Sequence, residues 1–214
     1  MCDILWECKK LDFYTPLNQH FKEGVFLSSI KGALGHFMTI TRHRHAVIRH
    51  AAKAGIFWQG LRHDLSKYSP TEFIPGAKFY SGDRSPNEKE RNIFGYSLAW
   101  MHHKGRNKHH FEYWTDYNPI EKKMMPVPMP MRYIAEMFCD RVAASKIYQG
   151  KNYTDSHPYE YFLRGVANRA IEKETAEILE GWLIKLRDEG ENVTLHHIKE
   201  CVKASKKKSK KNNK

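Results

Sequence analysis

Cysteine is scarce in this chain and unsuited to structural work. Cys2, Cys8, Cys139 and Cys201 form no CxxC pair and no evenly spaced framework, which argues against a disulfide scaffold and a zinc ribbon. Reduced thiols in a cytoplasmic protein are the expectation. Long apolar runs are also missing: no stretch reaches the roughly 18 uninterrupted apolar residues of a spanning helix. The N-terminal MCDILWECKKLDFY carries acids among its apolar residues and has no signal-peptide core. There is no alternating β-branched run of strand length, and no repeat with a period of roughly 20 to 50 residues. These absences exclude membrane spans, solenoids and sheet-based folds, and leave an all-α protein as the expected class.

Acidic residues are in deficit, giving a formal charge of +12. Much of the excess is local, because Lys203 to Lys214 holds seven lysines and no acid. The body is only mildly basic, and the tail reads as a disordered extension able to touch nucleic acid non-specifically.

With 214 residues and 41% hydrophobic content, the chain can bury one core without staples. One helical domain over 1–202 is expected, with a central part at about 25–150, C-terminal helices at about 158–202 and the tail at 203–214. Apolar residues at steps of three and four from Gly24 to about Ala54 predict a long first helix, or two broken near Gly32 or Gly35. Ser69-Pro70-Thr71-Glu72 and Ser85-Pro86-Asn87-Glu88 predict capping boxes opening helices near 70–80 and 86–103. The prolines of Met124–Pro130 make a rigid connector. An amphipathic helix follows at MRYIAEMFCDRVAASKIYQ, then another over about 168–189, and Thr194 can cap a last short one.

Histidine is what the chain has in abundance, with 13 residues. His63 and Asp64 are adjacent in GLRHDLSKYSP. Near a helix end such a pair can converge on one ion, and N and O donors suit Zn, Mn, Fe, Co or Mg. Upstream, TRHRHAVIRH offers His45, with His43 competing for the same role. Downstream, Asp140 lies among apolar neighbours, where a buried acid needs a cation or donors. In WMHHKGRNKHH, Gly105 and Asn107 favour a turn that folds His102 and His103 toward His109 and His110. The inward members read as His102 and His110, with His103 and His109 as alternatives.

The set His45, His63-Asp64 and Asp140 resembles the H…HD…D pattern of the HD superfamily of metal-dependent phosphohydrolases, and HDLSK is similar to the HDxxK form found there. The resemblance covers about residues 40–145. It implies a helical bundle holding one or two divalent ions, with His102 and His110 as further ligands. It also implies hydrolysis of a phosphorylated small molecule, such as a nucleotide, by metal-activated water. Asp64, Lys67 and Glu72 would then be catalytic, with Glu72 orienting water or the lysine unless it closes the Ser69 capping box. Lys67, Lys104 and Arg106 would hold phosphate. Spacing departs from the two-metal pattern, because the intervening histidines lie close together. The longer strings GLRHDLSKYSPTEF, AWMHHKGRNKHHFEYW and EMFCDRVAASKIY are also similar to an uncharacterised helical family of bacteria and phages. Two other readings stay open: a di-iron oxygenase using HD-type ligands, and a basic nucleic-acid-binding module with a structural metal. Oligomeric state is not legible.

Overall fold

A stripe of small and apolar residues interrupted by histidines organises the first helix. In the computed structural model, which describes residues 23–165 and 170–212, α1 runs unbroken from Glu23 to Lys53. His36, Ile40, His43, Val47 and His50 are buried along it at steps of three and four. The glycines expected to break it instead admit a neighbour. A Cβ at Gly32 would lie 2.8 Å from the Ala77 carbonyl oxygen, and one at Gly35 2.4 Å from the Tyr80 ring. Both partners belong to α3 (Pro70–Lys78) or follow it directly.

Between them the chain turns through α2 (Phe57–Gly60) and a 3-10 turn, Leu65–Tyr68. The expected helix at 86–103 is two, α4 (Pro86–Phe94) and α5 (Leu98–Arg106), because Gly95 terminates the first with φ 78°. Ser69 and Ser85 stand at the N-caps as expected, but neither side chain makes a capping hydrogen bond.

The first residues of the Met124–Pro130 segment, read as a connector, instead belong to a hairpin that departs from all-α. Strands β1 (Thr115–Asn118) and β2 (Lys123–Pro126) pair antiparallel, with Thr115 opposite Pro126 and Asn118 opposite Lys123. At four residues each, half of them exposed and none buried, they lack the alternation that announces a half-buried strand. Pro126 is tolerated because it ends its strand.

The centre of the molecule is α6 (Met131–Gln149), where Ile134 to Cys139 are all buried in succession. Such a helix is covered on every side. Against it pack α1, α7 (His157–Leu163), α8 (Lys173–Glu189) and α9 (Glu191–Asn212). Phe138, Leu179, Leu183, Leu186, Ile198 and Val202 form the deepest apolar layer. The expected start of α8 at Asn168 lies outside the described residues, as do Cys2, Cys8 and the last two tail residues. Glu172 caps α8 by accepting from the amides of Glu174 and Thr175.

Two expectations at the C-terminus are corrected. The last helix begins at Glu191, not at a Thr194 cap, because Glu191 is tied to Lys146 and to His50 and Lys53 of α1. It then continues through the lysine run to Asn212, so 203–212 is helical rather than disordered. Lysine is a good helix former, and cations suit a helix C-terminus. No helix among the described residues is long and apolar enough to cross a membrane.

Candidate metal centre

Four elements converge on one carboxylate, that of Asp64. Its backbone sits in the left-handed region at φ 55°, which is uncommon outside glycine and turns the side chain inward at the entry to the 3-10 turn. Arg44 holds this loop by donating to the carbonyl oxygens of Leu61 and His63. Asp64 is buried, and neither oxygen has a well-directed hydrogen bond, although Lys67 Nζ approaches Oδ2 to 2.7 Å.

Each oxygen faces a different set of donors. Around Oδ2 lie His63 Nε2 at 3.2 Å and His43 Nε2 at 3.7 Å, and Asp140 Oδ1 lies 2.9 Å from His43 Nε2 and 3.4 Å from His63 Nε2. Around Oδ1 lie His103 Nε2 at 3.3 Å and His109 Nε2 at 3.4 Å, with His110 Nε2 2.8 Å from His103 Nε2. Metal–ligand bonds of about 2.0–2.2 Å put neighbouring ligand atoms about 2.8–3.6 Å apart, in octahedral or tetrahedral arrangement. Both groups, His43–His63–Asp64–Asp140 and Asp64–His103–His109–His110, cluster near those separations. His109 Nε2 is also buried with no hydrogen-bond partner. Nitrogen and carboxylate donors, orphaned buried atoms and ligand-length spacing fit a divalent cation in each group.

Two glutamates sit behind the histidines. Glu136, four residues before Asp140 on α6, accepts from His63 Nδ1 at 3.0 Å on Oε1, and His109 Nδ1 is 3.4 Å from the same oxygen. Gln59 donates to its Oε2. Glu72 receives His102 Nδ1 at 2.6 Å and His103 Nδ1 at 2.7 Å, one on each oxygen. A carboxylate at Nδ1 fixes the tautomer that frees Nε2 as a ligand.

Several expectations need correction. His45 is exposed and outside the cluster, while His43 stands within it, because His43 lies on the buried stripe of α1. His103 is the inward member of its pair, since it shares the buried face of α5 with Ala99, and His102 stops at Glu72. His109 and His110 both join the second group. Glu72 neither caps α3 nor has an oxygen free for water or Lys67, because both its oxygens serve histidines. Lys104 is half-buried beside His103, and Arg106 is exposed and lines a separate pocket. His63, Asp64, Lys67 and Asp140 stand together as expected. Glu136 was missed.

Burial and charge act oppositely on these groups. Burial drives the His43 imidazole below its ordinary value, and it pushes His110 well below. Burial also opposes the His63 cation, but Asp64, Asp140 and Glu136 outweigh it and hold that ring well above the usual range. Burial would raise the Asp64 and Asp140 carboxyls, yet His63 and Lys67 around the first and His43 and His63 around the second keep both well below the usual value. Glu136, also desolvated, is brought to about 2 by His109 and His63.

A pH dependence of metal uptake follows. His63 is an imidazolium in the metal-free protein and must lose its proton to ligate, so proton and metal compete below its raised pKa. Apparent affinity should climb with pH up to that raised value, about tenfold per pH unit for one proton released on binding. Calorimetry in two buffers of different ionisation enthalpy measures that release; a pH-independent affinity contradicts it.

No curated protein and no solved structure matches the chain. One family does, over residues 32–185, a span holding every residue of both donor groups, and the chain belongs to it: DUF5662, a family of unknown function.

Proposed function

We propose that this protein is a metal-dependent phosphohydrolase whose two donor groups, sharing Asp64, would each hold a divalent ion. The observation carrying the proposal is the division of the Asp64 oxygens between two donor groups of ligand spacing. Bound divalent cations would polarise a phosphoryl oxygen and lower the pKa of water from 15.7 toward about 7.

The protein's own residues supply positioning and charge. Asp140 of the first group and Lys67 beside it are partly open, with side chains 19% and 29% exposed, whereas His63 is sealed. Substrate therefore approaches from the Asp140 and Lys67 side. Burial works against the Lys67 ammonium, but Asp64 and Asp140 keep it protonated and its pKa raised, so it acts as a donor to a phosphoryl oxygen and not as a base. Glu136 and Glu72 keep the histidine rings in register, which removes reorganisation from the reaction.

The test is elemental analysis of protein purified without a histidine tag, alongside hydrolysis of a generic phosphate ester with Mn2+ or Mg2+. Bound metal in near-stoichiometric amount, and hydrolysis abolished by chelation and restored by the ion, is the expected result. Metal-free protein refutes the proposal. Tightly held iron without phosphatase activity also refutes it, and favours the di-iron oxygenase.

A further inference from the structure

A second cavity of about 370 Å³ backs onto the metal centre, and Glu136 and His109 form the shared wall. Its size falls in the roughly 300–1,000 Å³ range of small-molecule sites. Four cations line it: Arg62, Arg106, Lys108 and Arg132, all exposed. Arg62 and Arg106 have no acidic partner among the described residues. Arg132 donates only to the Tyr133 hydroxyl, and Lys108 rests over the Tyr113 ring. The acid in the wall, Glu136, has both oxygens committed to His63, His109 and Gln59.

Four positive side chains around one concavity, with its carboxylate already spoken for, leave an excess of donors. Arginine forks suit tetrahedral oxyanions, which they bind through two N–H groups at once. The His109 ring directs Nε2 toward Asp64 and Nδ1 toward Glu136, so this cavity lies behind the ligand layer and not on the Asp140 side. We infer that the Arg62–Arg106–Arg132 pocket is a separate oxyanion site that binds a phosphate group, free or carried on a small molecule. It needs no ion, so it stands apart from the function proposed above.

The experiment is calorimetric titration of inorganic pyrophosphate into Asp64→Asn protein, in which the metal centre is disabled. A second titration uses the same protein carrying Arg62→Ala and Arg106→Ala, both surface truncations. Binding in the first that weakens at least about tenfold in the second is expected. No binding to the first, or equal binding to both, overturns the inference. If Asp64→Asn protein does not fold, wild-type protein and the arginine variant are compared in excess chelator, with the same two outcomes. Competition separates the sources. Equal displacement by inorganic phosphate and ribose 5-phosphate supports a free-oxyanion site, and displacement chiefly by the latter supports a phosphorylated metabolite. Displacement by neither overturns the inference. Failure of the proposed function leaves this result intact, because pyrophosphate binding here is read without metal.

Discussion

Asp64→Asn is expected to strip metal from both donor groups and abolish hydrolysis while leaving the fold in place. Asparagine has the same shape as aspartate and is among the few residues at ease near φ 55°, so the turn should survive. What it lacks is charge and a second acceptor oxygen. The His103–His109–His110 group has Asp64 as its sole carboxylate, and the His43–His63 group loses one of two. An amide can present its oxygen to one group only, and its NH2 then repels a cation in the other. Melting separates loss of ligation from loss of fold. A ligand present at a hundred times its Kd stabilises by about 2.7 kcal/mol, so metal-loaded wild type should melt well above both its chelated form and the variant. The variant should melt no higher than the chelated wild type, because it also loses the charge that pairs with Lys67. Wild-type metal content in the variant would remove the premise that Asp64 is a ligand.

The legible part of this site was the part encoded by local period. His63, Asp64 and Asp140 could be read from their residue types and neighbours. His43 was readable too, because Ile40, His43, Val47 and His50 continue one stripe at steps of three and four, whereas His45 lies about 200° around the helix from His43. The motif spacing did not distinguish the two, and the stripe was the better guide. At α5 the apolar residues give no guide to the inward histidine, because Leu98 and Met101 face outward and the buried face is carried by Ala99 and His103. Glu72 shows a different limit. Ser-Pro-Thr-Glu is a valid capping sequence, but a carboxylate that can reach two imidazoles of α5, one of them buried, is better used there, and no local pattern reports a contact 30 residues away. The hairpin at 115–126 was hidden because its strands are short and wet. The helical tail was missed because a lysine run was read only for charge, not for propensity.

Glu136 was missed despite a local sign, and it carries the second large effect. It stands four residues before Asp140, so both acids lie on one face of the largely buried helix α6, and two acids on such a face imply a common cationic or donor-rich target. Glu136→Gln keeps the volume but cannot keep the bonds. The native carboxylate accepts on both oxygens, from His63 on one side, where His109 Nδ1 also lies at 3.4 Å, and from Gln59 on the other. A glutamine offers one acceptor and one donor, so one of those N–H groups would meet another N–H. Gln59 cannot simply flip to relieve this, because the same Nε2 also donates to the Arg132 carbonyl at 3.1 Å. Freed of their acceptor and of a nearby negative charge, His63 and His109 lose tautomer control and basicity together. Metal affinity should fall about 10- to 100-fold, and in both groups at once, because one carboxylate orients a ligand of each. Competition against a chromophoric chelator measures this, with Glu136→Asp as the comparison that restores charge at a shorter reach. Retention of full affinity in Glu136→Gln would mean that the histidines are held by packing alone.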